Sequence, residues 1–136
     1  AGEGGTFSQP ELHVGLLPGW GGAQRLPRIV GESRAAEIVL TGRRYDSETM
    51  AEYGFLSEVV EGEAVDEWAD ELATKLAAGP PIAQAGAKRA MRAGRDDFEA
   101  GLAAEREAFA AAVDSADGTN GVRAFLEDQS VEFEGR

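Results

Sequence analysis

The sequence predicts an α/β protein, with strand material confined to its first third and helices making up the rest. Three observations carry that reading. Thr6 to Leu17 is an apolar run broken by Pro10 that ends in a glycine-rich turn, Pro18-Gly19-Trp20-Gly21-Gly22. From Ser33 onward, apolar residues recur at helical spacing between glycine stops. A 43% apolar fraction over 136 residues is enough to fill the core of one domain.

Each element has a local reason. The Gly-rich start, residues 1–5, cannot begin an element by itself. Thr6 to Leu17 reads as extended, with Pro10 marking an edge strand or a strand start. A helical piece then runs to about Ile29, short or kinked because Pro27 sits inside it. Ser33 is placed to cap a helix that stops at Gly42, and Ser47 to cap one that stops at Gly54. Phe55 to Val60 reads as a short strand. Val65, Trp68, Leu72 and Leu76 define an amphipathic helix over 64–78, broken by Gly79-Pro80-Pro81. Ile82 to Ala93 is a further helix ended by Gly94. Asp96 or Asp97 caps a long helix with Phe98, Leu102, Phe109 and Val113 on one side, a stripe suited to a core or a subunit interface. A last helix, from about Asn120 to Asp128, is expected to bury Val122, Phe125 and Leu126. Two short strands cannot make a stable sheet alone, so their sheet must gain strands from elsewhere.

Composition excludes several classes of function. Without Cys there is no disulfide framework or thiolate metal site, and with His13 as the single His no His-rich metal site is available. No long uncharged apolar run suits a membrane span, and no secretory signal is recognisable, so a soluble cytoplasmic protein is expected. Acidic residues number 25 against 13 basic ones, for a net charge of −12, and only Lys75 and Lys88 are lysines. The basic footprint of a nucleic-acid binder is missing. An acid-rich, Lys-poor chain suits a salt-loaded cytoplasm, where salt screens its self-repulsion. An ordinary acidic protein is the alternative.

The segment F-S-Q-P-E-L-x-V-G-L-L-P-G-x-G-G-x-Q-R-L-P-R-x-V-G, from Phe7 to Gly31, resembles the second active-site segment of the crotonase superfamily, the enoyl-CoA hydratases and isomerases. The likeness continues through Ala35 to Val60 and weakens into the helical tail. It implies a crotonase-like spiral ββα fold. Residues 1–62 would be the last part of its core, with the second active-site segment, and residues 63–136 a C-terminal helical oligomerisation region. It also implies an acyl-CoA thioester substrate, no separate cofactor or metal, and a homotrimer or dimer of trimers.

By this resemblance Glu11 is the acid that protonates the α-carbon as water adds at the β-carbon, and the Gly19 N–H lines the pocket. Leu16, Pro18 and Trp20 would contact the substrate. Hydration also needs a base for the water and two N–H donors for the enolate-like oxygen. The family's first glutamate and those donors lie upstream, and Glu3 is no substitute. The chain is therefore expected to carry half an active site, as part of a longer protein. Walls at Phe7, Leu16, Leu17 and Trp20 would raise the pKa of Glu11 by desolvation. Glycines 19, 21 and 22 allow close backbone approach to a ligand.

His13 would share a strand face with Glu11, although a lone His is more often structural. Arg25 and Arg28 are expected to pair with surplus carboxylates rather than phosphate. Trp20, where the family has a small residue, either shapes the acyl pocket or packs. Asp128 stands where relatives often place a coenzyme-binding Lys. Δ3,Δ2-enoyl-CoA isomerase is the alternative activity, since it needs only one acid/base at Glu11. A non-catalytic assembly module is the alternative outside enzymes. If the charge balance is a salt adaptation, the melting temperature rises between dilute buffer and molar KCl; a flat curve would contradict it.

Overall fold

The computed structural model describes residues 1–136. They form two compact units, Ala1–Asp70 and Glu71–Arg136, with the division falling inside one helix. The first unit contains β1 (Thr6–Phe7), a 3-10 helix (Pro10–Val14), α1 (Gly22–Val30), α2 (Glu32–Thr41), β2 (Tyr45–Asp46), α3 (Ser47–Glu52), a 3-10 turn (Gly62–Ala64) and the start of α4 (Val65–Ala77). β1 and β2 pair antiparallel, Thr6 opposite Asp46 and Phe7 opposite Tyr45.

The core of this unit lies between α1, α2 and α3. Leu26 and Val30 stand one helical turn apart on α1, and Ala35 and Ile38 are three apart on α2, so each pair shares a face. Tyr45 and Met50 complete the buried cluster, with Phe7, Val39, Tyr53 and Leu56 packed against it. Burial, first of all, holds the Tyr45 phenol above its usual pKa. Its hydroxyl donates to Glu37 at 3.1 Å. Gly31 closes α1 through its N–H to the Pro27 carbonyl, and its own carbonyl accepts the Ala35 N–H to open α2.

Three local expectations are corrected here. Thr6 to Leu17 is extended only at Thr6–Phe7; Pro10 at the first turn and the left-handed Gly15 at the end wind the middle into a 3-10 helix. Phe55 to Val60 is not a strand, because the N–H groups of Phe55 and Leu56 both turn back to the Met50 carbonyl. Only Val60 pairs, in an isolated parallel bridge with Gly2. The second strand is instead Tyr45–Asp46. Caps differ as well. Gly31, not Ser33, precedes α2, and Asp46 caps α3 by accepting the Thr49 N–H at 2.8 Å. Hydrogen bonding to the Thr49 side chain, first of all, and then to this N–H lowers the Asp46 pKa. Ser47, freed from capping, is fully buried and donates to the Gly2 carbonyl at 2.7 Å, tying the chain start to α3. Pro27 is accommodated within α1, a helix of 9 residues.

The second unit holds the end of α4, α5 (Pro81–Ala93), α6 (Phe98–Val113) and α7 (Ala116–Leu126). Asp97 caps α6 through the Ala100 N–H at 3.0 Å, and Ser115 caps α7 through the Gly118 N–H at 2.9 Å. α5 and α6 meet through small residues. A Cβ on Gly86 would lie 2.8 Å from the Ala108 Cβ, and one on Gly101 would lie 2.5 Å from the Gly94 Cα. The tail returns to α7, where the buried Asp117 carboxylate accepts the Glu134 and Gly135 N–H groups at 2.8 Å each.

Large apolar side chains do not fill this unit's core. Phe98 is 72% exposed, Phe109, Val113, Val122 and Leu126 are also exposed, and Phe125 is 84% exposed. The expected burial of Val122, Phe125 and Leu126 is therefore corrected: α7 begins earlier, at Ala116, and buries Ala124 instead. Closely approaching helices leave room inside only for small residues. No helix is long and apolar enough to cross a membrane.

This packing predicts opposite effects for two Gly→Ala substitutions in helices. Both gain about 1 kcal/mol of helix propensity. At Gly101 the new methyl meets backbone, and overpacking of about 1–3 kcal/mol outweighs the gain. At Gly121 the nearest atom is the Phe133 ring edge at 3.4 Å, an ordinary contact. Thermal melting should fall for Gly101→Ala and rise for Gly121→Ala.

Candidate active site

The segment from Gln9 to Gly22 is built by three turns in succession. Pro10 starts the 3-10 helix, with φ pre-set and no N–H to leave unpaired. Gly15, at φ 72°, ends it, and its N–H returns to the Leu12 carbonyl at 3.1 Å. The Leu16 N–H then donates to the Glu11 carbonyl at 3.0 Å, folding the next stretch back on the helix. Pro18 is buried, and Gly22 fits tightly behind it: an added Cβ would lie 2.9 Å from both the Pro18 Cβ and the Gln9 Oε1. Gly22 opens α1.

Within this frame Glu11 is half-buried, and its Oε2 is sealed from solvent with no hydrogen-bond partner. Buried carboxylate oxygens are ordinarily satisfied, because an unpaired one costs on the order of a lost charged hydrogen bond. Gly19 makes no hydrogen bond through its N–H within the chain. It is not in the left-handed region, and a Cβ there would meet nothing nearer than the Leu17 carbonyl at 3.8 Å. The fold of this chain therefore does not require glycine at position 19. Leu16 is 64% exposed and Trp20 is 93% exposed. Trp20 does not pack against the chain's own core.

Other residues singled out in the sequence have different places. In a 3-10 helix two residues are separated by about 240°, so His13 leaves the face of Glu11. Its Nε2 lies 3.2 Å from the Thr41 carbonyl at the end of α2. Because a carbonyl only accepts, that bond assigns the proton to Nε2. Arg25 donates to the Trp20 carbonyl and Arg28 to the Gln24 carbonyl at 2.8 Å, both bonds local to the turn and α1. Glu3 is exposed, with its N–H on the Val60 carbonyl. Asp128 is exposed just beyond α7, with φ 52°. Gln9, wedged against Gly22, has no signal in the sequence beyond its place before Pro10.

Each unit also holds a hollow, mixed in character in the first and apolar in the second. In the first unit a cavity of about 330 Å³ is lined by Phe7, Gln9, Leu26, Ile38, Met50 and Phe55, among others, but not by Glu11. In the second, α5 and α6 flank one of about 480 Å³, lined by alanines and glycines with Met91, Phe98, Leu102, Glu105 and Phe109. Nowhere do three or more His, Asp or Glu side chains converge as metal ligands would.

The orphaned carboxylate thus sits on a 3-10 helix ahead of a glycine turn and α1, in a chain whose fold is that of the crotonase-fold proteins. The match is not limited to that segment. The enoyl-CoA hydratase/isomerase family model matches residues 1–136, and the chain belongs to that family. It is 38% identical over 137 residues to the 2,3-dehydroadipyl-CoA hydratase of Escherichia coli, covering 100% of this chain and 54% of that protein. It is 37% identical over 137 residues to the mitochondrial enoyl-CoA hydratase of Pongo abelii, covering 98% of this chain and 46% of the relative. Among solved structures, an enoyl-CoA hydratase from Bacillus anthracis superposes with a TM-score of 0.92 at 36% identity, over 100% of this chain and 53% of its own. The chain thus spans about half the length of the curated relatives it matches.

Gly19 offers a test that separates fold from site. The Gly19→Ala chain should melt within about 0.5 kcal/mol of the parent, the usual range for surface changes. If the turn lines a site for an acyl thioester, the affinity of the active protein for one, read by calorimetry, should fall.

Proposed function

We propose that this chain forms part of an enoyl-CoA hydratase and supplies the acid of its active site, Glu11. The carrying observation is the sealed, unpartnered Glu11 Oε2, in a chain matched over its whole length by the family. In the proposed reaction the oxygen of water bonds to the β-carbon of a 2-enoyl-CoA thioester. A second acid/base, provided from outside this chain, takes the water's proton. The carboxyl of Glu11 gives its own proton to the α-carbon, the double bond becomes a single bond, and a 3-hydroxyacyl thioester leaves.

The remaining residues fit that reading. The free Gly19 N–H suits an oxygen acceptor, either the attacking water or a substrate oxygen. Leu16 and Trp20 offer apolar surface to an acyl chain, and buried Pro18 stiffens the turn between them. The exposed apolar residues of α6 and α7 support assembly into a trimer or a dimer of trimers. The charge of −12 supports a salt-loaded cytoplasm as its surroundings.

Hydration and double-bond migration differ in product. Incubated with a 2-enoyl-CoA, the active protein should yield the 3-hydroxyacyl thioester; conversion of a 3-enoyl-CoA to the 2-enoyl isomer without water uptake would assign the isomerase instead. Glu11→Gln keeps the shape and removes the acid. It should lower kcat by about 10²–10⁴-fold, the usual worth of one general acid/base. A Gln variant with the parent rate would remove Glu11 from the mechanism.

A further inference from the structure

We propose that His13 is a positioning residue for Glu11, holding the 3-10 helix that carries the acid against the C-terminal end of α2. The inference rests on the role given to Glu11 above. The 3-10 helix cannot fix its own orientation. It is 5 residues long, has no side-chain cap and contains no fully buried residue. Short 3-10 segments have poor internal hydrogen-bond geometry and owe their place to what they touch.

One side-chain hydrogen bond ties Pro10–Val14 to another element: His13 Nε2 to the Thr41 carbonyl, 3.2 Å. The receiving end is shaped for the ring. Thr41 is the last residue of α2, where carbonyls lack a partner inside the helix and attract a donor. Gly42 follows, buried, at φ 60°. A Cβ there would lie 2.6 Å from Nε2 and 3.0 Å from Cε1 of the same ring. Gly42 is thus demanded twice, by the left-handed helix stop and by the imidazole seated on it. His13 lies two residues from Glu11 in the same helix, so the ring fixes that helix's rotation. Rotation decides where the Glu11 carboxyl points.

The effect should fall on chemistry rather than substrate binding. In the protein that shows hydratase activity, His13→Ala should lower kcat about 10-fold with KM moved less than about 2-fold, since a misplaced catalytic group costs rate. His13→Gln, which retains an N–H able to reach Thr41, should recover most of that loss. Amide exchange at Gly15 and Leu16, whose N–H groups bond within this helix and back to Glu11, should quicken in His13→Ala and return toward the parent rate in His13→Gln. If Glu11→Gln abolishes activity while His13→Ala leaves kcat and both amides unchanged, the positioning role is wrong and the site stands. Equal losses in His13→Ala and His13→Gln would also overturn it, because a bond to Thr41 would then not be the cause. If Glu11→Gln itself keeps the parent rate, the site reading falls, and the amide pattern alone then decides whether His13 holds the helix.

Discussion

The first unit is organised by Gly31. One residue, at φ 83° and ψ 158°, is both the end of α1 and the beginning of α2. A side chain at that φ would strain the backbone, so the sharp bend between the helices depends on glycine. The bend brings Leu26 and Val30 against Ala35 and Ile38, and those four make up most of the buried cluster. Several other parts of the unit are fixed relative to that pair: β2 and α3 through Tyr45 and Met50, the 3-10 helix through the end of α2, and the glycine turn through the start of α1. The two-residue strands are too short to organise anything themselves.

Asp117 and Glu11 show how differently a fold can treat the same group. Asp117 has both oxygens occupied by backbone N–H donors and sits in the first turn of a helix, where negative charge is favoured. It is a structural clip between α7 and the tail. Glu11 has one oxygen hidden from water and given no partner. The contrast is local: in the same chain, where a carboxylate serves packing its needs are met in full. The unmet one is the feature on which the proposed role of Glu11 as an acid rests.

Helices were the legible part of the sequence, because glycine stops and apolar spacing act over a few residues. Gly42 ends α2 and Asp97 caps α6 where local rules place them. The strands were not legible. Pro10 was compatible with a strand start and with a helix start, and only the left-handed Gly15 beyond it decides for the helix. Burial on α7 was misjudged for a related reason: helical spacing shows that Val122, Phe125 and Leu126 form part of a face but not whether this chain covers that face. At the candidate site the identity of Glu11 came from the pattern around it. That His13 turns away toward Thr41 depends on a contact 28 residues apart in sequence, which no local rule reaches.

Trp20 has an optical consequence. The chain has two tryptophans, one almost wholly exposed on the glycine turn and the other, Trp68, half-buried on α4. An indole in water emits at longer wavelength than one in an apolar setting, so the emission of this chain is a composite of two environments. The red component originates beside Gly19, from a side chain free to change its surroundings when anything settles on the turn. The protein thus carries an intrinsic fluorophore on the glycine turn, at the acyl-chain contact proposed above, and a second on α4 to serve as its internal reference.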